Sequence, residues 1–167
     1  DEFHQNVRMD LIEKDLEPKK LNEIIDTIEA HTADSATKRI TSLYEGFKDS
    51  KEYQIYKEHI VEAHKQYFAA HPGEFQVEGD KITLYRGLKL GKSIEDQISK
   101  RNLISFTSNK KVAASFAATF KGPSGELGRI ETMKIPLKAI HSSNVFGRTG
   151  FGEDEFILET KHLKATT

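Results

Sequence analysis

Apolar side chains in the first 73 residues recur at intervals of three and four, which predicts a series of amphipathic helices. Pro18 suits the first turn of a second helix. Asp49 and Glu52 have the spacing of a capping box that opens a longer, fourth helix, and His71-Pro72-Gly73 ends it. The four stripes are Phe3, Val7, Leu11, Ile12 and Leu16; Leu21, Ile24, Ile25 and Ile28; Ile40, Leu43, Tyr44 and Phe47; and Tyr53, Tyr56, Ile60 and Tyr67.

After Gly73 the spacing changes to the alternation of β-strands. Phe75 and Val77, a turn at 78–81 and the run 82–87 predict a hairpin. Two further strands are predicted in this part of the chain, at 103–109 and 129–135. Two helices are predicted as well, one capped by Ser93 and one with an apolar stripe of Val112, Phe116 and Phe120. The sequence therefore predicts an α+β domain spanning residues 1–167, with a helical part over 1–73 and a β-rich part over 74–167.

Two glutamates lie in a predicted strand over 152–158 near the end of the chain. Alternation would place Glu153 and Glu155 on the same face of that strand, one step apart. The preceding stretch, 141–151, combines glycines with aromatic residues and predicts an irregular loop. A carboxylate pair beside such a loop suggests a site for positive charge, whereas the simpler alternative is a solvated strand face.

Composition narrows the classes of function. The net charge of −1 gives no broad basic surface, which disfavours nucleic acid as a partner. No apolar run is long enough to span a bilayer, and no signal-peptide pattern opens the chain. Cysteine is absent, so disulfides and thiolate chemistry are excluded. Because the sequence begins at Asp1 rather than methionine, we expect it to be a processed or excised piece of a longer protein.

Three short motifs occur in order: Tyr85-Arg86-Gly87, Ser105-Phe106-Thr107 and Glu153-Asp154-Glu155. Together they resemble the Arg–Ser–Glu signature of mono-ADP-ribosyltransferases, in the clostridial-toxin-like class with Glu-x-Glu. The resemblance covers about residues 75–160 and implies an ADP-ribosyltransferase-like fold. In that fold a helical N-terminal half packs on a two-sheet antiparallel or mixed β core with an NAD cleft. The middle motif allows a second register, Phe106-Thr107-Ser108.

The resemblance also implies a role for each motif residue. Arg86 would contact the NAD phosphates, a task that suits a planar, permanently charged group. Gly87 would offer backbone hydrogen bonds to the nicotinamide amide. Ser105 would position Glu155, and Glu155 would bind the ribose and stabilise positive charge as the bond to nicotinamide breaks. Glu153 would orient or deprotonate the acceptor, because a charged guanidinium is a poor nucleophile.

Further residues are implied around this core. Phe116 matches an aromatic residue near the nicotinamide, and Asn102 is a candidate NAD contact. Phe146 and Phe151, in the loop before the glutamates, are candidates for recognising the protein substrate. NAD would be consumed as a substrate, and no metal is expected.

The leading hypothesis is an enzyme that transfers ADP-ribose from NAD to an arginine of a target protein and releases nicotinamide. The alternatives are an NAD glycohydrolase toxin, a transferase acting on nucleic acid, and a non-catalytic binding module. We expect a monomeric toxin or effector domain, secreted or delivered into a target cell, that acts in the cytoplasm. The target protein and an immunity or inhibitor protein are the expected partners, with no membrane association.

Overall fold

The computed structural model describes residues 2–29, 42–119, 121–146 and 154–164. The described part of residues 1–73 is helical and the strands come later in the chain, with two shorter helices between them, as the change of spacing predicts. The helices are α1 (Glu2–Glu13), α2 (Pro18–Glu29), α3 (42–47), α4 (Lys51–Ala70), α5 (Ile94–Lys100) and α6 (Lys110–Ala117). The strands are β1 (Val77–Glu78), β2 (Lys81–Leu88), β3 (Leu103–Thr107), β4 (Arg129–Pro136), β5 (Ile140–Ser143) and β6 (Glu155–Glu159).

Local capping chemistry sets most helix starts. Pro18 opens α2 as predicted. Ser93 caps α5, where its hydroxyl accepts from the Asp96 amide at 3.3 Å. The prediction of Asp49 as the cap of α4 is wrong by one residue, because the Ser50 hydroxyl accepts from the Tyr53 amide at 3.1 Å.

The strands form one antiparallel sheet in the order β1-β2-β3-β6-β5, and β4 pairs with β2 along its whole length. The α+β class is confirmed, whereas β2 and β3 are joined at a single residue pair, so the expected arrangement of the strands in two sheets stays a prediction. Strand β5 was expected to be loop. Its four residues are all buried, and two of its side chains bond α4: His141 Nδ1 bonds the Tyr53 hydroxyl at 2.7 Å, and Ser143 Oγ bonds His64 Nε2 at 2.6 Å.

The two faces of the sheet belong to different hydrophobic clusters. Leu103 and Ile157 pack with helices α1 to α4. The opposite face packs under α5 and against the end of α4, with Phe106 and Phe156 among its largest side chains. Alternation along β3 and β6 therefore directs Ser105 and Glu155 toward the helical layer, since they share a face with Leu103 and Ile157.

Helix α6 lies against β2 at a glycine. A Cβ on Gly87 would lie 2.0 Å from the Ala113 carbonyl oxygen, so only glycine permits this approach. The predicted stripe of Val112, Phe116 and Phe120 is not the buried face of α6: Ala113 and Ala117 are buried and Phe116 is 46% exposed. Phe120 lies outside the described residues.

None of the helices in the described ranges has the length and apolar character that a bilayer crossing requires.

Candidate functional site

Three neighbouring strands bring together residues that are far apart in the sequence. Strands β3 and β6 pair continuously, with Thr107 opposite Glu155. Strands β2 and β3 pair only at Tyr85 opposite Thr107. The two strands consequently separate beside Arg86. There the Arg86 side chain, rather than backbone hydrogen bonds, links β2 to β3.

Glu155 is buried and bound to Ser105. The Ser105 hydroxyl donates to Glu155 Oε2 at 2.6 Å, and Glu155 is only 2% exposed. The solvated-face alternative for this glutamate is therefore wrong. The bond also bears on the register of the middle motif, because Thr107 Oγ1 accepts from the Asn109 amide at 3.0 Å while Ser105 contacts the carboxylate.

The strand carrying Glu155 begins at that residue rather than at 152. Asp154 has a φ of 68°, in the left-handed region, so regular alternation does not continue through it. The prediction that Glu153 and Glu155 share a strand face requires a strand conformation at Asp154, which Asp154 does not have. Glu153 itself lies outside the described residues, as does Phe151.

Arg86 crosses the opening between β2 and β3. Its Nε donates to Gln97 Oε1 of α5 at 2.7 Å, and its Nη1 donates to the Ser105 carbonyl oxygen at 2.6 Å. Both acceptors are neutral. Glu131 lies opposite Arg86 in β4 but bonds Arg129 Nε at 3.2 Å, and no carboxylate of the described residues pairs with Arg86.

The environment of Arg86 favours an anion. Burial lowers the pKa of Arg86 to about 10, and the nearby charge of Arg101 acts in the same direction. The guanidinium is still a cation at neutral pH. A half-buried cation without a counter-ion is penalised, and an anionic ligand would relieve that penalty. Two of the five N–H groups are used by Gln97 and Ser105, and none of the described residues bonds the other three.

Asn102 does not lie beside Arg86, Ser105 and Glu155. It lies at the other end of β3, where its carbonyl oxygen accepts from the Thr160 amide at 3.0 Å and its side-chain amide bonds Glu45. Glu155 is the first residue of β6, and Thr160 directly follows its last residue. At the rise of a strand the Cα atoms of these two residues are about 16 Å apart. Asn102 therefore links α3 to the strand ends, and its contact with NAD stays a prediction.

Phe146 is also not a free loop tip. It belongs to a short 3-10 helix, Asn144–Phe146, and its ring packs against Phe3, His64 and Tyr67 at centroid distances of 5.6, 4.9 and 6.0 Å. One part of its surface therefore packs onto the helical layer, and its contact with a protein substrate stays a prediction.

Phe116 and Gly87 lie next to each other, because a Cβ on Gly87 would be 2.9 Å from the Phe116 Cβ. The exposed Phe116 ring is therefore close to the β2 segment that carries Arg86. One residue that sequence reasoning missed also belongs here, Gln97 of α5, which bonds Arg86. No feature of the sequence around Gln97 marks it as a partner of Arg86.

The arrangement combines a half-buried cation, a hydroxyl and a buried carboxylate on adjoining strands. Such a set can bind an anionic ligand and present a carboxylate to a developing positive charge. Among the described residues, no cluster of three or more His, Asp or Glu side chains could hold a metal ion. No protein-family model, curated protein or solved structure matches this chain.

Proposed function

We propose that this chain is an NAD-dependent protein-arginine mono-ADP-ribosyltransferase, acting as a toxin or effector domain in the cytoplasm of a target cell. The observation that supports it best is the position of Ser105 between two charged groups. Its carbonyl oxygen accepts from Arg86 at 2.6 Å, and its hydroxyl donates to Glu155 at 2.6 Å. One residue thereby fixes a phosphate-binding cation and a carboxylate relative to each other.

The reaction needs this combination. Arg86 binds the diphosphate of NAD through its remaining N–H groups. The bond between ribose C1′ and the nicotinamide nitrogen breaks, and nicotinamide leaves as a neutral base without a general acid. Positive charge develops on the ribose, as in glycoside hydrolysis, and the Glu155 carboxylate stabilises it. The bond from Ser105 keeps that carboxylate in one rotamer.

Transfer then requires an acceptor nitrogen. The arginine guanidinium of the target attacks C1′ and loses one proton, so the products are ADP-ribosyl-arginine, nicotinamide and a proton. Glu153, two residues before Glu155, is the proposed base that takes this proton. Phe116 is proposed to contact the nicotinamide ring, and Gly87 to offer its backbone to the nicotinamide amide.

The test is incubation with NAD and agmatine, a small guanidine acceptor, with nicotinamide and ADP-ribosyl-agmatine measured by mass spectrometry. Glu155→Gln should lower both products by about 10²–10³-fold, the usual cost of losing one electrostatic contact to a transition state. Glu78→Gln is the matched control, since Glu78 is a strand carboxylate that is 84% exposed and paired with Lys134. Wild-type activity in Glu155→Gln would refute the proposal.

Glu153→Gln separates transfer from NAD cleavage. We expect it to lose ADP-ribosyl-agmatine while nicotinamide release largely continues, because the base serves only the acceptor. Nicotinamide release without any transfer by the wild-type chain would identify an NAD glycohydrolase instead. Labelling of added DNA or RNA in place of agmatine would identify a nucleic-acid transferase. NAD binding without cleavage would identify a binding module.

A further inference from the structure

Asp154, the residue directly before Glu155, has an uncommon backbone conformation. Its φ of 68° lies in the left-handed region, where a residue other than glycine costs free energy unless its surroundings hold it. Two consecutive residues hold it from the end of β3. The Ser108 amide donates to the Asp154 carbonyl oxygen at 3.0 Å, and Asn109 Nδ2 donates to Asp154 Oδ2 at 3.3 Å. The start of β6 is therefore tied to the chain that leaves β3.

Asn109 also begins helix α6. As the N-cap, its Oδ1 accepts from the Lys111 amide at 3.0 Å, and its backbone amide donates to Thr107 Oγ1 at 3.0 Å. Because the cap uses Oδ1, the NH₂ group is the part of the side chain that faces Asp154, and a carboxylate accepts from it. Aspartate caps a helix as well as asparagine does, but it would present a second oxygen in place of this donor. The bond to Asp154 is thus a task separate from the cap.

Asn109 lies between the chain segments that carry the two charged groups of the site. Helix α6, which it begins, packs on β2 at the residue after Arg86, and Asp154, which it bonds, precedes Glu155. The Ser105 hydroxyl fixes the Glu155 side chain. The bond from Asn109 fixes the backbone from which that side chain extends.

We propose that Asn109 is a positioning residue of this site, which holds Asp154 in the left-handed conformation and so fixes Glu155 relative to β3 and α6. The consequence for catalysis rests on the proposed function, whereas the link between Asn109 and Asp154 does not. A shift of about 1 Å in a reacting group can lower a rate about 10²-fold. Arg86 is held by Gln97 and a backbone carbonyl instead, so kcat should depend on Asn109 more than KM for NAD does.

Asn109→Asp separates the link from the cap. It keeps the acceptor for the helix amide, but two carboxylates would face each other where the wild type has a hydrogen bond. In hydrogen exchange followed by NMR, the Ser108 amide, which donates to Asp154, should exchange about tenfold faster. The Val112 amide donates to the Asn109 carbonyl oxygen at 3.0 Å in the first turn of α6, so it reports the cap and should keep its wild-type rate.

The kinetic measurement is nicotinamide release from NAD at varied NAD concentration. For Asn109→Asp, kcat should fall about tenfold or more, with KM for NAD within about twofold of the wild type. Asn22→Asp is the matched control, because it adds the same charge at an exposed position of α2, where the amide oxygen accepts from Arg8 at 3.3 Å. It should change neither kcat nor the exchange of the Ser108 amide.

The double variant Asn109→Asp with Asp154→Asn reverses the hydrogen bond. The donor is then at position 154 and the acceptor at position 109, the net charge equals that of the wild type, and asparagine tolerates a left-handed backbone. Exchange of the Ser108 amide and kcat should both return to within about threefold of the wild type. A double variant no better than Asn109→Asp would overturn the proposal. So would wild-type exchange in Asn109→Asp, because Asn109 would then only cap α6.

Hydrogen exchange separates this inference from the proposed function, because it requires no activity. Exchange at Ser108 that depends on Asn109, in a wild type that does not cleave NAD, would support the link and contradict the transferase. NAD cleavage by the wild type with an unchanged kcat in Asn109→Asp would do the reverse, since Glu155 would then be positioned without Asn109.

Discussion

Gly87→Ala tests the packing of α6 on β2, which positions Arg86. A methyl group at this position would lie 2.0 Å from the Ala113 carbonyl oxygen, 2.9 Å from the Ala117 nitrogen and 2.9 Å from the Phe116 Cβ. Two of these atoms belong to the backbone of α6, so no side-chain rotation can relieve the overlap. Either the helix moves or the strand does.

The magnitude follows from the size of the overlap. Ordinary contact begins at 3.4 Å, so the Ala113 carbonyl must retreat by about 1.4 Å. Helix α6 is also fixed at its end, where the Gly128 amide donates to the Ala117 carbonyl oxygen at 2.9 Å. Overpacking of a core typically costs 1–3 kcal/mol, and we expect the upper end, about 3 kcal/mol. For a domain of this size the melting temperature should fall by about 6–12 °C.

The assay is urea unfolding followed by far-UV circular dichroism, supported by thermal unfolding. Gly46→Ala is the control, because Gly46 lies in α3 and a Cβ there meets no atom within 4 Å. It should gain about 0.5–1 kcal/mol from helix propensity. Equal stability of Gly87→Ala and wild type would refute the packing of α6 at Gly87. Loss of NAD cleavage at unchanged stability would assign Gly87 to the ligand instead.

Two further predictions concern buried polar groups between the helices and the sheet. Glu159 is 1% exposed and pairs with Lys57 at 2.5 Å, so Glu159→Gln should cost about 3–5 kcal/mol in urea unfolding. Adding Lys57→Met should recover part of this loss; no recovery would argue against the pair. Burial lowers the pKa of His64 to about 4, so its protonation favours the unfolded chain. The stability that neutral His64 provides is fully present above about pH 6.5. The free energy of unfolding falls by about 3 kcal/mol as the pH falls to about 4. His64→Gln should remove that slope, and an unaltered pH profile would exclude His64 as its source.

Elements governed by local chemistry could be predicted from the sequence. The hairpin of β1 and β2 follows from alternation on both sides of a four-residue turn, and α5 follows from the Ser93 cap. Strand β5 could not be predicted in this way. His141 and Ser143 are buried because α4 supplies Tyr53 and His64 as hydrogen-bond partners, and those residues lie about 80 positions earlier in the chain.

The same distinction between local sequence and tertiary contacts applies to the residues of the candidate site. Arg86, Ser105 and Glu155 could be named from motifs, because each motif is a few consecutive residues. Asn102 and Phe146 are predicted contacts of NAD and of the protein substrate, and the structure adds tertiary contacts that the sequence did not predict, with Glu45 and with the rings of the helical layer. Motif spacing contains no information about such contacts, which depend on how α3 and α4 lie against the sheet.

Charged groups are partnered differently in the two polar regions of this fold. Where the helical layer meets β6, the Glu159 carboxylate receives the Lys57 ammonium and the Tyr44 hydroxyl, so the charge is neutralised within the protein. At the opening between β2 and β3, the described residues offer Arg86 an amide oxygen and a carbonyl oxygen but no carboxylate. A neutral partner stabilises a charged side chain less than an ion pair would, so this choice costs stability. That cost is explained if the counter-charge is supplied by a ligand, and for this reason we propose the function for Arg86 and its neighbours rather than for the better-paired Glu159.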